Sequence, residues 1–169
     1  MAIIIKIHCN EGDIMDEKFV EVVEKKVISA DYMSSVRKSL ETFKFDASVN
    51  GAYRSKKMNK RMKFYNNMEY IFLKWLDINP RVLEFFSENL DIPYYLGDKC
   101  KTFHPDYEVI FEEGKKVGKA IWELKVTGGN YKTAAKAEAG KEYAAEHGYD
   151  EFKIITIGNM MSHIQKYSK

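Results

Sequence analysis

Apolar residues recur at two periods along this chain, and the period changes mark the predicted elements. Residues 3–7 alternate weakly and predict a short strand. Residues 16–28 space Phe19, Val20, Val23 and Val27 as one helical stripe, with Asp16 placed to cap it. Residues 31–43 predict a second helix, with Met33, Val36, Leu40 and Phe43 on one side. Residues 44–52 hold Asp46, Asn50 and Gly51 and predict a connector. A strong helix is predicted over 62–77, with Met68, Phe72, Trp75 and Leu76 at core spacing and Asn79-Pro80 as its stop.

Beyond it the period shortens. Val82–Phe86 and Leu90–Tyr95 predict strands, with a loop at Gly97-Asp98-Lys99. Residues 103–111 and 117–126 predict a hairpin turning at Glu112-Glu113-Gly114-Lys115. Gly128-Gly129-Asn130 breaks the return strand. Residues 131–147 predict an Ala- and Lys-rich helix stopping at His147-Gly148. Phe152–Ile157 predicts a buried strand, and the last ten residues a short helix. From residue 62 the order is helix, antiparallel strands, helix, strand: a mixed α/β layer in which the second helix feeds a parallel strand. The expected organisation is an N-terminal helical extension over 1–50 and one α/β domain over 51–169.

With 169 residues, 45% of them hydrophobic, the chain can bury a proper core. No apolar run approaches a membrane span and no basic leader precedes Ile3-Ile4-Ile5, so an intracellular, cytoplasmic protein without membrane partners is expected. Two cysteines predict free thiols rather than a disulfide framework. Neither His8-Cys9 nor Cys100-x-x-x-His104 has the spacing of a zinc site.

The net charge of +2, from 27 Lys+Arg and 25 Asp+Glu, hides a segregation. Arg54, Lys56, Lys57, Lys60, Arg61 and Lys63 form a run of six cations with no acid, flanked by Tyr53, Phe64 and Tyr65. Without them the remainder carries 2 − 6 = −4. Such a run is often a solubilising face. Beside a nuclease-like site it is expected to bind DNA phosphates.

The candidate chemistry lies in the hairpin. If Phe111 faces Gly118, the register sets Asp106 across from Glu123. Glu123 and Lys125 then share one strand face, while Trp122, Leu124 and Val126 share the other. On the preceding helix Glu69 lies on or beside the apolar stripe, where a carboxylate must find a cation, a donor or a metal. Three acids and a lysine suit metal-assisted phosphodiester hydrolysis, since Mg²⁺ prefers oxygen ligands and needs only one or two carboxylates. An acid and a lysine two apart on a strand are usually a solvated, cross-strand-paired surface. Asp106, Glu69 and the basic run carry the stronger reading.

Pro105-Asp106 followed by Glu123-x-Lys125 resembles the PD-(D/E)XK nuclease signature, and the order of elements resembles that superfamily's restriction-endonuclease-like αβββαβ core. The resemblance covers about residues 53–157 and extends through Tyr53-Arg54-Ser55, Met68-Glu69-Tyr70, Trp75-Leu76-Asp77-Ile78-Asn79-Pro80, Ile92-Pro93-Tyr94 and His104-Pro105-Asp106-Tyr107. These stretches are similar to TnsA-type transposon-end endonucleases and to small phage head-completion nucleases. The resemblance implies a DNA endonuclease using Mg²⁺, with Mn²⁺ as substitute, in phage DNA processing or transposition. It implies Glu69, Asp106, Glu123 and Lys125 as catalytic residues. Asp106, Glu123, the Leu124 carbonyl and Glu69 would be metal ligands. A lysine on the next helix would face the phosphate, with Lys132, Lys136 and Lys141 as candidates and Lys141 preferred. His104 is a further expected DNA contact. A junction-resolving nuclease, a homodimer or larger assembly, and a non-catalytic DNA-binding protein of the same fold are the alternatives. The first 50 residues have no counterpart in the resemblance.

Overall fold

The structure is a computed structural model. It describes Ser34, Lys38, residues 42–127 and residues 129–168. The strand expected at 3–7 and the helix expected at 16–28 lie outside the described residues. Within the expected helix 31–43, Ser34 and Lys38 are helical. Phe43–Ser168 form one compact unit. Lys44 and Asp46 are tied into it: the Asn67 N–H and side-chain amide donate to the Asp46 and Lys44 carbonyls, and Asn67 Oδ1 accepts from the Asp46 N–H.

The unit begins with a hairpin, β1 (Gly51–Ser55) and β2 (Lys60–Phe64), where a helix was expected from residue 62. Two local forces explain the difference. Met62 is buried and Phe64 half-buried on a period of two, the strand pattern. Asn66 and Glu69 form a reciprocal helix start: the Asn66 side chain accepts from the Glu69 N–H at 2.9 Å and donates to the Glu69 carboxylate at 2.6 Å. Helix α1 therefore begins at Asn67 and runs Asn67–Ile78, burying Met68, Phe72, Leu73, Trp75 and Leu76.

Four strands form the central sheet in the order β3 (Val82–Ser87), β6 (Tyr107–Glu113), β7 (Lys116–Lys125), β8 (Glu151–Thr156). The first two pairings are antiparallel. β7 and β8 are parallel, joined through α2 (Tyr131–Glu146). A separate hairpin, β4 (Ile92–Leu96) and β5 (Lys99–Phe103), is inserted between β3 and β6. β5 occupies the start of what reads in sequence as one strand over 103–111; His104-Pro105-Asp106 instead connect β5 to β6. α3 (Ile157–Tyr167) closes the chain.

The sheet is covered on both faces. Ile121 of β7 and Phe152 of β8 pack with Ile92, Tyr94 and Phe103 of the inserted hairpin and Ala144 of α2. A side chain at Gly140 would meet the Phe152 ring at 2.4 Å, so that glycine sets how closely α2 approaches β8. On the other face Trp122 packs against Trp75 of α1 and against His163 and Tyr167 of α3. The Trp122 indole N–H and the Tyr167 hydroxyl both donate to Glu151, at 2.9 and 2.7 Å.

His163 is 1% exposed within this aromatic cage, and neither ring nitrogen has a hydrogen-bond partner. Burial first, then Lys153 and Lys166, lower its pKa to about 3 from 6.5. Between those values the unfolded chain binds a proton that the folded chain refuses. Stability therefore falls as pH drops through that window, by about 1.4 kcal/mol per pH unit. His163→Leu is expected to remove this contribution, so that the slope of stability against pH is lower in the variant than in wild type by about that amount, read by urea denaturation between pH 4 and pH 6.5. Equal slopes in variant and wild type would show that His163 does not supply this term.

Candidate active site

Register places the central pair. Phe111 faces Gly118 and Tyr107 faces Trp122, which sets Asp106 opposite Glu123 as the sequence predicts. The Phe111 ring lies over Gly118: a Cβ at position 118 would meet it at 2.6 Å, so a larger residue there would push the ring aside. The two acids are tied through backbone. The Asp106 N–H donates to Glu123 Oε2 at 3.3 Å, and the Leu124 N–H donates to Asp106 Oδ2 at 2.5 Å. Asp106 Oδ1 makes no hydrogen bond among the described residues.

Glu123 is 2% exposed. Its Oε1 lies 2.6 Å from Lys125 Nζ and 3.5 Å from Lys136 Nζ. Strand alternation puts Glu123 and Lys125 on the face covered by α2, while Trp122 faces α1 and α3. Asp106 is pushed up to about 8, by burial first and then by the Glu123 charge, against the pull of the Leu124 N–H and Lys125. Burial, with a second carboxylate beside it, is what favours the protonated form of Asp106.

Glu69 reaches the same place from α1. Its carboxylate accepts from the Tyr65 N–H at 2.7 Å and from Asn66, so the donors its position demands are found at the helix start. It also lines a cavity with Asp106, Glu88, Arg61 and Lys63. Glu88 has no precedent in the sequence reading. It directly follows β3 with a left-handed backbone, φ +50°, and its N–H donates to the Asp106 carbonyl at 3.3 Å. No periodicity or motif marks it in sequence.

Other expected contacts are distributed differently. Lys136, rather than the preferred Lys141, approaches Glu123; Lys141 is exposed beside Tyr149 and Asp150. The signal was available: Lys136, Gly140 and Ala144 recur every four residues on the face of α2 that packs on the sheet, and Lys141 falls outside it. His104 stands in the connector and pairs with Asp91 at 2.7 Å. Lys57 turns inward, its ammonium donating to the carbonyls of Leu76, Asn79 and Val82 at 2.6–2.7 Å. It is therefore not available to DNA. Arg54, Lys56, Lys60, Arg61 and Lys63 are exposed on the β1–β2 hairpin.

Among the described residues no three His, Cys, Asp or Glu side chains converge as a ready metal-binding group. The donor set nevertheless fits a hard divalent ion. Two carboxylates are tied side by side by backbone N–H groups, and Mg²⁺ fills its remaining positions with water. Among the described residues no helix is long and apolar enough to cross a membrane. Comparison of the chain with protein-family models, curated proteins and solved structures finds no match.

Proposed function

We propose that this chain is a divalent-metal-dependent DNA endonuclease of the PD-(D/E)XK type. The observation that carries the proposal is the convergence of Asp106, Glu123 and Lys125 in the register their sequence spacing demands. The succession α1, β3, β6, β7, α2, β8 supports a restriction-endonuclease-like core, with β4–β5 as an insertion.

In this reading Asp106 and Glu123 hold Mg²⁺ or Mn²⁺, with the Leu124 carbonyl and Glu69 as further oxygen donors. The ion supplies Lewis-acid polarisation of the phosphate and a lowered pKa for bound water. Lys125 orients the attacking water and offsets charge on the phosphate oxygens. Lys136 holds Glu123 from the helix side, which keeps its carboxylate aimed along the sheet face when Lys125 engages substrate. The exposed hairpin cations draw the DNA backbone toward the cavity.

Plasmid nicking with Mg²⁺, Mn²⁺, Ca²⁺ and EDTA tests the proposal. Cleavage is expected with Mg²⁺ and Mn²⁺ and to be lost in the Asp106→Ala, Glu123→Ala double variant. Full activity in that variant overturns it. One observation favours a second reading: Glu123 Oε1 already has two ammonium partners, the arrangement of a structural ion triad. DNA binding without cleavage under any metal would select a non-catalytic DNA-binding protein.

A further inference from the structure

We propose that the outer face of the β1–β2 hairpin is a preformed phosphate clip in which Arg54, Arg61 and Lys63 grip the backbone of duplex DNA beside the carboxylate cavity. This deepens the nuclease reading and rests on it.

The register defines the clip. Arg54 lies directly across from Arg61, and Ala52 directly across from Lys63. Residues opposite one another in an antiparallel pair share a face, so three cations and one small residue form a single patch. Like charges directly opposed destabilise a sheet unless an anion comes between them. Among the described residues, none of the three side chains makes an ion pair or a hydrogen bond. Lys57, four residues from Arg61, shows the contrast: its ammonium is consumed by three carbonyls. The chain thus separates one anchoring cation from a set left open to an external anion.

The patch is held in place. Asp77, 7% exposed in the last turn of α1, accepts from the Tyr53 hydroxyl, the Ser55 hydroxyl and the Lys56 and Lys57 N–H groups. Tyr70 of α1 packs against Tyr53 and Phe64 on the inner face of the hairpin. Arg61 and Lys63 also line the cavity that holds Glu69 and Asp106, so an anion on the clip lies next to the site of hydrolysis. Arginine suits the task because its planar fork donates two parallel hydrogen bonds to a phosphate.

The experiment is equilibrium binding of a fluorescent duplex in Ca²⁺, at a series of salt concentrations, by the full chain. The variant is Arg54→Gln, Arg61→Gln, and the control is Lys115→Gln, Lys116→Gln at the β6–β7 turn. The clip variant is expected to flatten the dependence of log Kobs on log salt by about two units, near one per lost phosphate contact, while the control matches wild type. An unchanged slope in the clip variant overturns the proposal. So does an equal loss in the control, which would mean diffuse attraction by net charge. A wild type that cleaves plasmid but gives the clip variant's slope overturns the clip alone. A wild type that neither binds nor cleaves overturns the nuclease reading as well.

Discussion

Asp106→Asn is expected to cut metal-dependent cleavage by more than about 100-fold and, without metal, to make the folded protein more stable at pH 8. The first effect follows from the proposed role of Asp106 as a direct metal ligand, since groups that only support metal ligands already cost about 10–100-fold when changed. The second follows from burial first and the neighbouring Glu123 charge second. The Asp106 carboxyl is raised to about 8 from an ordinary 3.8. Between those values the folded chain keeps a proton that the unfolded chain has released, so stability falls as pH rises through the window, by about 1.4 kcal/mol per unit. Asparagine cannot ionise and still offers an oxygen to the Leu124 N–H. Urea denaturation in EDTA at pH 5 and pH 8 reads the difference: wild type loses stability across the interval and the variant does not. Adding Ca²⁺ at pH 8 is expected to raise the wild-type midpoint and leave the variant unmoved, because only a site that binds the ion in the folded state gains from it. A variant that cleaves near the wild-type rate, or that keeps the pH slope, contradicts the assignment of Asp106.

What could be read in the sequence depended on how local its cause was. The β6–β7 register is legible in the alternation of Tyr107, Val109 and Phe111 and in one glycine, Gly118, and both lie within the hairpin itself. The pairing of Asp106 with Glu123 follows from that register alone. The start of α1 was misplaced although its cause is also local. The apolar stripe of the helix can be extended backward through Met62, and only the Asn66–Glu69 exchange stops it. Lys57 could not be told from its five cationic neighbours, because its partners lie 19–25 residues downstream. Lys136 and Lys141 differ only in which side of α2 faces the sheet. His163 has no sequence signature at all: its surroundings come from α1, β7 and α3 together. Asp77 did carry a signal. A carboxylate in the last turn of a helix opposes the helix dipole, so some other group must hold it there.

That group is the hairpin, and Asp77→Ala is expected to destabilise the protein by about 3–5 kcal/mol, the cost of opening a buried charged network from one side. Four donors lose their acceptor at once: two hydroxyls and two backbone N–H groups. Lys57 loses its nearby countercharge while it remains partly buried, in a setting that already pulls its pKa down to about 8. Asp77→Asn should cost less, since its amide oxygen can still accept from one N–H and one hydroxyl, while its NH₂ replaces the acceptor of the other two donors. Chemical denaturation measures both, and an alanine variant within about 1 kcal/mol of wild type would show that the hairpin is anchored elsewhere. The consequence for the site follows from the helix that joins them. α1 holds the hairpin's Tyr65 end through Glu69 in its first turn and the hairpin's Ser55–Lys57 end through Asp77 in its last. One helix therefore aligns the cationic hairpin with the acid that lines the cavity. Releasing the Asp77 end should weaken DNA binding even though Asp106, Glu123 and Lys125 stay in place on the sheet.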